Sequence, residues 1–105
     1  MTIVVNESNF EEIVLKSEVP VVLDLGAEWC GPCKMVHPIV AEMSEEYEGR
    51  AKMTYLDIDG SPAITAKYKV RNIPTVLFFK DGEVKDKQVG AVPKKVLVEK
   101  LEALL

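Results

Sequence analysis

The chain has 105 residues, 48% of them hydrophobic and 29% charged, with 13 Lys and Arg against 17 Asp and Glu for a formal net charge of −4. That length holds one domain, residues 1–105, and excludes two; a domain of this size buries roughly 65% of its unfolded surface and needs no crosslink or metal to stay folded. The acidic balance and the lack of a basic tract argue against nucleic acid or an anionic membrane as a partner.

The N-terminus, Met-Thr-Ile-Val-Val-Asn, has no basic region followed by a long apolar one, so no secretory signal is expected. The longest apolar run, Val19 to Leu23, contains Pro20 and is too short to span a bilayer. The expected location is the cytoplasm, where thiols are kept reduced and a cysteine pair is more often catalytic or metal-binding than structural.

In chain order, Ile3 to Val5 reads as a short β-branched strand. Ser8 and Glu11 form a capping-box pattern, with Phe10, Ile13 and Val14 following at helical spacing. Val19 to Ala27 is nearly continuous and apolar, as expected of a strand covered on both faces. Gly31-Pro32 interrupts it. A long helix follows, in which Val36, Ile39, Val40, Met43 and Tyr47 form one apolar stripe, Pro38 is expected to introduce a kink, and Gly49 is the natural stop.

Met53 to Ile58 is the next strand, and Ser61 is placed to cap a short helix with Pro62 at its first position, running to about Lys69. Thr75 to Lys80 and Glu83 to Val89 flank Asp81-Gly82, a two-residue hairpin signal. The last helix starts near Pro93 and carries Leu97, Leu101, Leu104 and Leu105 on one side. The order β-α-β-α-β-α-β-β-α predicts an α/β fold: a mixed sheet with helices on both faces. Strands separated by helices are expected to be parallel and the final hairpin antiparallel.

The only two cysteines stand three apart in Trp29-Cys30-Gly31-Pro32-Cys33. With no other thiol in the chain, each is the other's obvious intramolecular partner, and a pair so spaced can close and reopen a small ring without moving the rest of the fold. Cys30 falls where a buried strand ends and a helix begins. Unpaired N–H groups and the helix dipole lower a thiol pKa there, and only the thiolate attacks a disulfide. Cys30, at the exposed lip, is the expected nucleophile; Cys33, one turn in and more shielded, is the resolving thiol. Gly31 leaves room for a client sulfur, and Pro32 suits the first turn and limits the dithiol's freedom.

Asp24 is the only ionisable side chain between Val19 and Ala27. Six residues before Cys30, it is expected beneath the base of the helix, where desolvation raises its pKa and lets it take the Cys33 proton, through water, during resolution. The plainer readings are a solvent-facing side of the strand or a hydrogen-bonded core polar group.

Trp29-Cys30-Gly31-Pro32-Cys33-Lys34 after an apolar strand bearing Asp24, then Pro38, then Ile73-Pro74-Thr75, resembles the thioredoxin family along essentially the whole chain. The resemblance implies a central five-stranded mixed sheet flanked by four helices, protein-disulfide reduction, re-reduction by a thioredoxin reductase, disulfide-containing client proteins, a monomer, and neither metal nor bound organic cofactor. It further implies a cis Pro74 beside the cysteines and an apolar client-binding surface at Trp29, Gly31, Pro32, Ile73, Pro74, Gly90 and Ala91.

From the residues alone, Pro74 merely starts a strand and Gly90-Ala91 is an ordinary turn. Two positions depart from the family pattern. Gly26 stands where an aromatic residue, commonly Trp, is frequent. Tyr55 stands where many members carry a Lys near the buried acid, so Asp24 is expected to lack that stabiliser of its charge.

Three other readings compete with this one. A zinc site would draw on Cys30, Cys33 and the sole histidine, His37, but has no evident fourth ligand; a surface His37 that tunes the thiols by its charge is the simpler reading. An oxidase- or isomerase-type relative commonly has a more polar dipeptide between its cysteines than Gly31-Pro32. A non-catalytic adaptor would use the fold only as a docking surface.

Overall fold

The structure, a computed structural model, describes residues 2–105. Its centre is β2 (Val21–Gly26), buried at every position. Alternation along this strand sends Val21, Leu23 and Leu25 to one side of the sheet and Val22, Asp24 and Gly26 to the other. The first set packs with Phe10, Val14, Leu56, Ile64, Leu77 and Phe79. On the second side, Val22 packs with Val36, Val40, Met43, Phe78, Leu97 and Leu101. Two apolar layers on one sheet explain why so short a chain reads as apolar on both faces of its central strand.

Around β2 lie β1 (Ile3–Val4), β3 (Lys52–Asp57), β4 (Thr75–Lys80) and β5 (Glu83–Val89), in the order β1-β3-β2-β4-β5. The helical segments are a short π-helix, Glu11–Leu15, and α1 (Cys33–Glu46), α2 (Pro62–Lys67) and α3 (Lys94–Glu102). α1 and α3 cover the Asp24 side of the sheet, while the π-helix and α2 cover the other. The phenol of Tyr47 at the end of α1 donates a 2.5 Å hydrogen bond to Glu102 and ties α1 to α3. This is the expected five-stranded mixed sheet with four helical segments.

The expectation that all helix-separated strands run parallel is corrected at β4. β1 and β3, and β3 and β2, are parallel, but β4 runs antiparallel to β2, pairing Thr75 with Leu25. Residues 58–74 turn the chain at the end of the sheet where β3 stops instead of crossing back along it, with Ile64 of α2 packed into the layer of Leu23 and Leu25. β3 ends at Asp57 beside Gly26, and β4 begins opposite Leu25, at the same end.

Two caps differ from expectation. Asn6 and Asn9 form the capping box instead of Ser8 and Glu11: Asn6 Oδ1 accepts from the Ser8 N–H at 2.9 Å, and Asn9 Oδ1 accepts from the Asn6 N–H at 2.7 Å. Ser61 sits at the α2 cap but its side chain makes no capping bond; Glu7, distant in sequence, accepts from the Ala63 N–H at 2.7 Å. The Asp81-Gly82 turn is as read, with φ of 54° and 78° at the two residues. A side chain at Gly82 would also press to 2.9 Å from the Leu15 carbonyl oxygen.

Candidate active site

Cys30 and Cys33 are joined by a disulfide with their Cα atoms 5.3 Å apart. Cys33 opens α1, with Pro32 at its cap. The Cys33 N–H, one of the donors a helix start leaves unpaired, reaches back to Cys30 Sγ at 3.2 Å. Cys30 Sγ also lies 3.9 Å from the Ile73 carbonyl oxygen. The expected contrast in exposure is not found: the two residues are 5% and 4% exposed. In the disulfide both sulfurs share one small apolar nest with Ala27, Ile58 and Ile73. What distinguishes them is hydrogen bonding, since Cys30 accepts the N–H of Cys33.

The Ile73–Pro74 bond is cis. Pro74 is buried, and its carbonyl accepts from the Gly90 N–H at 2.8 Å, so Ile73, Pro74 and Gly90 meet on the Cys30 side. Gly90 has φ +89°, which favours glycine, and Ala91 beside it is exposed. Gly31 and Pro32 are exposed, and a Cβ on Gly31 would meet nothing within 4 Å. Trp29 is 69% exposed, its indole N–H donating to Asp59 at 2.8 Å. Asp59 had no sequence signal: it lies 30 residues from its partner, in a loop of ordinary acidic composition.

Asp24 is 1% exposed, on the β2 face beneath α1. Among the described residues neither of its oxygens has a hydrogen-bond partner, so it is neither solvent-facing nor a satisfied core polar group. His37 Nδ1 stands 3.5 Å from Asp24 Oδ2. Burial pushes the Asp24 carboxyl up to about 6, against the opposing pull of His37.

Tyr55 is Asp24's partner in the β2–β3 register. Burial, and then the carboxylates of Asp57 and Asp24, push its phenol up, so it brings no charge. The residue beside Asp24 is instead His37, half-exposed on α1. A signal was present in the spacing, because His37 is four residues after Cys33 and so shares its helix face.

Cys33, His37 and Tyr55 line a common cleft of about 420 Å³, with Ala27, Glu28, Lys34 and Pro38. Among the described residues no three His, Cys, Asp or Glu side chains are grouped so as to hold a metal ion. No described helix is long and apolar enough to cross a membrane.

A mixed five-stranded sheet bearing a two-cysteine ring at the start of a helix, above a buried acid and beside a cis-proline, defines a small thiol–disulfide class of α/β protein. The thioredoxin family model matches residues 1–103. The chain is 54% identical over 99 residues to the chloroplastic M-type thioredoxin of Pisum sativum, an alignment covering 94% of this chain and 58% of that protein. It is 48% identical over 101 residues to the chloroplastic M-type thioredoxin of Spinacia oleracea, covering 96% and 56%. It is also 48% identical over 101 residues to a thioredoxin of Synechocystis sp., covering 96% and 94%. The chain belongs to the thioredoxin family. It spans less than three-fifths of the two plant proteins and nearly the whole of the cyanobacterial one.

Proposed function

We propose that the chain is a protein-disulfide reductase working by thiol–disulfide exchange, folded as one domain over residues 1–105. The observation that carries this reading is the closed Cys30–Cys33 ring at the start of α1, with the Cys33 N–H directed at Cys30 Sγ. In the reduced form Cys30 attacks a client disulfide and forms a mixed disulfide, releasing one client thiolate. Cys33 then attacks Cys30 Sγ, releases the second client thiolate and closes the ring.

Asp24 takes the Cys33 proton in that second step. A carboxyl near 6 is poised to accept and return a proton around neutral pH. Trp29, Ile73, Pro74, Gly90 and Ala91 receive the client chain, whose backbone pairs beside Ile73 as an added strand. Gly31 and Pro32, with Trp29, tune the couple.

The partners are disulfide-bearing proteins and a thioredoxin reductase that restores the dithiol, making the chain an electron carrier. It acts as a monomer in a compartment that keeps thiols reduced, the cytoplasm in this reading.

The test is insulin disulfide reduction followed by turbidity, with NADPH and a thioredoxin reductase. Catalytic turnover is expected from the wild type and none from Cys30→Ser, while Cys33→Ser accumulates mixed disulfides with insulin. Wild-type protein that gives no turnover, or adducts trapped only by Cys30→Ser, would overturn the assignment.

A further inference from the structure

Asp24 is 1% exposed, and its ion-pair partner among the described residues is His37. A proton that reaches it from Cys33 has no evident way out through the sheet, whose other face is a packed apolar layer. The sole histidine spans the gap. Its Nδ1 is 3.5 Å from Asp24 Oδ2, while its side chain is 48% exposed, so one end of the ring faces the acid and the other faces water. Tyr55 holds the ring from the β3 side, edge-on, with centroids 4.8 Å apart. His37 and Cys33 open on the same cleft.

We infer that His37 is a positioning residue for the resolving step, passing the Cys33 proton from Asp24 to solvent. The inference rests on the reading of Asp24 as proton acceptor. Cys33 gives its S–H proton to Asp24, by way of a water, as its sulfur attacks Cys30 of the mixed disulfide. The Cys30–Cys33 bond forms and the Cys30–client S–S bond breaks. The bonding pair leaves on the client sulfur as a thiolate, so the dithiol is oxidised by two electrons and the client reduced. Asp24 then passes the proton to His37 Nδ1, and the exposed edge of the ring releases it. Imidazole suits this because a neutral ring accepts a proton at one nitrogen and releases one from the other.

The surrounding charges leave this role to His37. On α1, Lys34 lines the cleft and is exposed, and Glu45 shares a second groove with His37. On β3, Tyr55 and Asp57 bring a neutral phenol and a carboxylate, and the loops add Glu28 and Asp59. His37 is the residue that pairs with Asp24.

The experiment measures the rate of the second, ring-closing step in single turnover against pH, and the Asp24 titration by carboxyl carbon NMR. The proteins are the wild type, Asp24→Asn, His37→Gln, His37→Lys and the double variant Asp24→Asn/His37→Gln. His37→Gln is expected to slow ring closure several-fold at pH 7, to leave the initial attack by Cys30 unchanged, to raise the Asp24 titration, and to add no slowing to Asp24→Asn.

His37→Lys supplies a fixed cation without an imidazole's second nitrogen to carry a proton onward. It is expected to bring the Asp24 titration back down while ring closure stays slow. Wild-type rate and pH profile in His37→Gln, an equal loss in the Asp24→Asn background, or full rescue by His37→Lys would each overturn the inference. If Asp24→Asn itself closes the ring at the wild-type rate, the reading of Asp24 fails and this inference with it. If Asp24→Asn is slow and His37→Gln is not, only the inference fails.

Discussion

The backbone N–H of Cys33 donates to Cys30 Sγ at 3.2 Å, across the first turn of α1. The bond runs one way, and so it separates two sulfurs that are otherwise equally covered. A donor aimed at Cys30 stabilises negative charge on it, as does the positive end of the helix. The same amide does nothing for Cys33.

Cys30 is therefore expected to titrate below the ordinary thiol value of about 8.5, and Cys33 above Cys30. The pH dependence of iodoacetamide alkylation checks this on the single variants. Cys33→Ser, which leaves Cys30 alone, should react quickly at pH 7, and Cys30→Ser slowly. Faster alkylation of Cys30→Ser would make Cys33 the attacking thiol.

Asp24 makes folding depend on pH. Its carboxyl titrates at about 6 in the folded chain, against 3.8 for the ordinary group. Folding thus favours the protonated form. That contribution is fully present below about pH 3.8, is lost as pH rises through 6, and is absent above it. The difference corresponds to about 3 kcal/mol. Asp24→Asn keeps the shape and removes the charge. Denaturant unfolding should find it more stable than the wild type at pH 8, by up to that amount, with the gap closing by pH 4. A gap that does not vary between pH 4 and 8 would mean that the carboxylate is solvated.

The part of this architecture that local pattern carries was legible. Continuous apolar residues marked β2, Asp-Gly marked the β4–β5 turn, and Asp24 stood out as one charge in an apolar run. The features that sequence reading missed depend on distance. The direction of β4 follows from where residues 58–74 leave and rejoin the sheet, beside Gly26 and opposite Leu25. The α2 cap comes from Glu7, and Trp29 is held by Asp59, neither adjacent in sequence to its partner. His37 carried a spacing signal, but its partner was hidden until β2 and α1 were placed face to face. The even burial of Cys30 and Cys33 follows from their shared nest with Ile58 and Ile73, which come from distant segments.

Gly26 bears on the couple directly. It lies on the same face of β2 as Asp24, and a Cβ there would stand 3.3 Å from Cys33 Sγ and 3.4 Å from Tyr55 Cε1. The first contact is closer than side chains ordinarily tolerate, so Cys33 must give way. In the dithiol its Sγ can turn aside, but in the ring it is tethered to Cys30. Gly26→Ala should therefore oppose the oxidised form more than the reduced one. Crowding of about 0.5–1.5 kcal/mol, typical of a displaced rotamer, corresponds to a potential about 10–30 mV more oxidising. The gain from replacing glycine within a strand, about 0.5–1 kcal/mol, acts on both redox forms and cancels from the potential. Equilibration with a glutathione buffer measures the shift, and urea unfolding of the reduced protein checks that the dithiol form is no less stable than wild type. A potential that is unchanged, or more reducing, would mean that the contact with Cys33 relaxes equally well in both states and that Gly26 does not tune the pair.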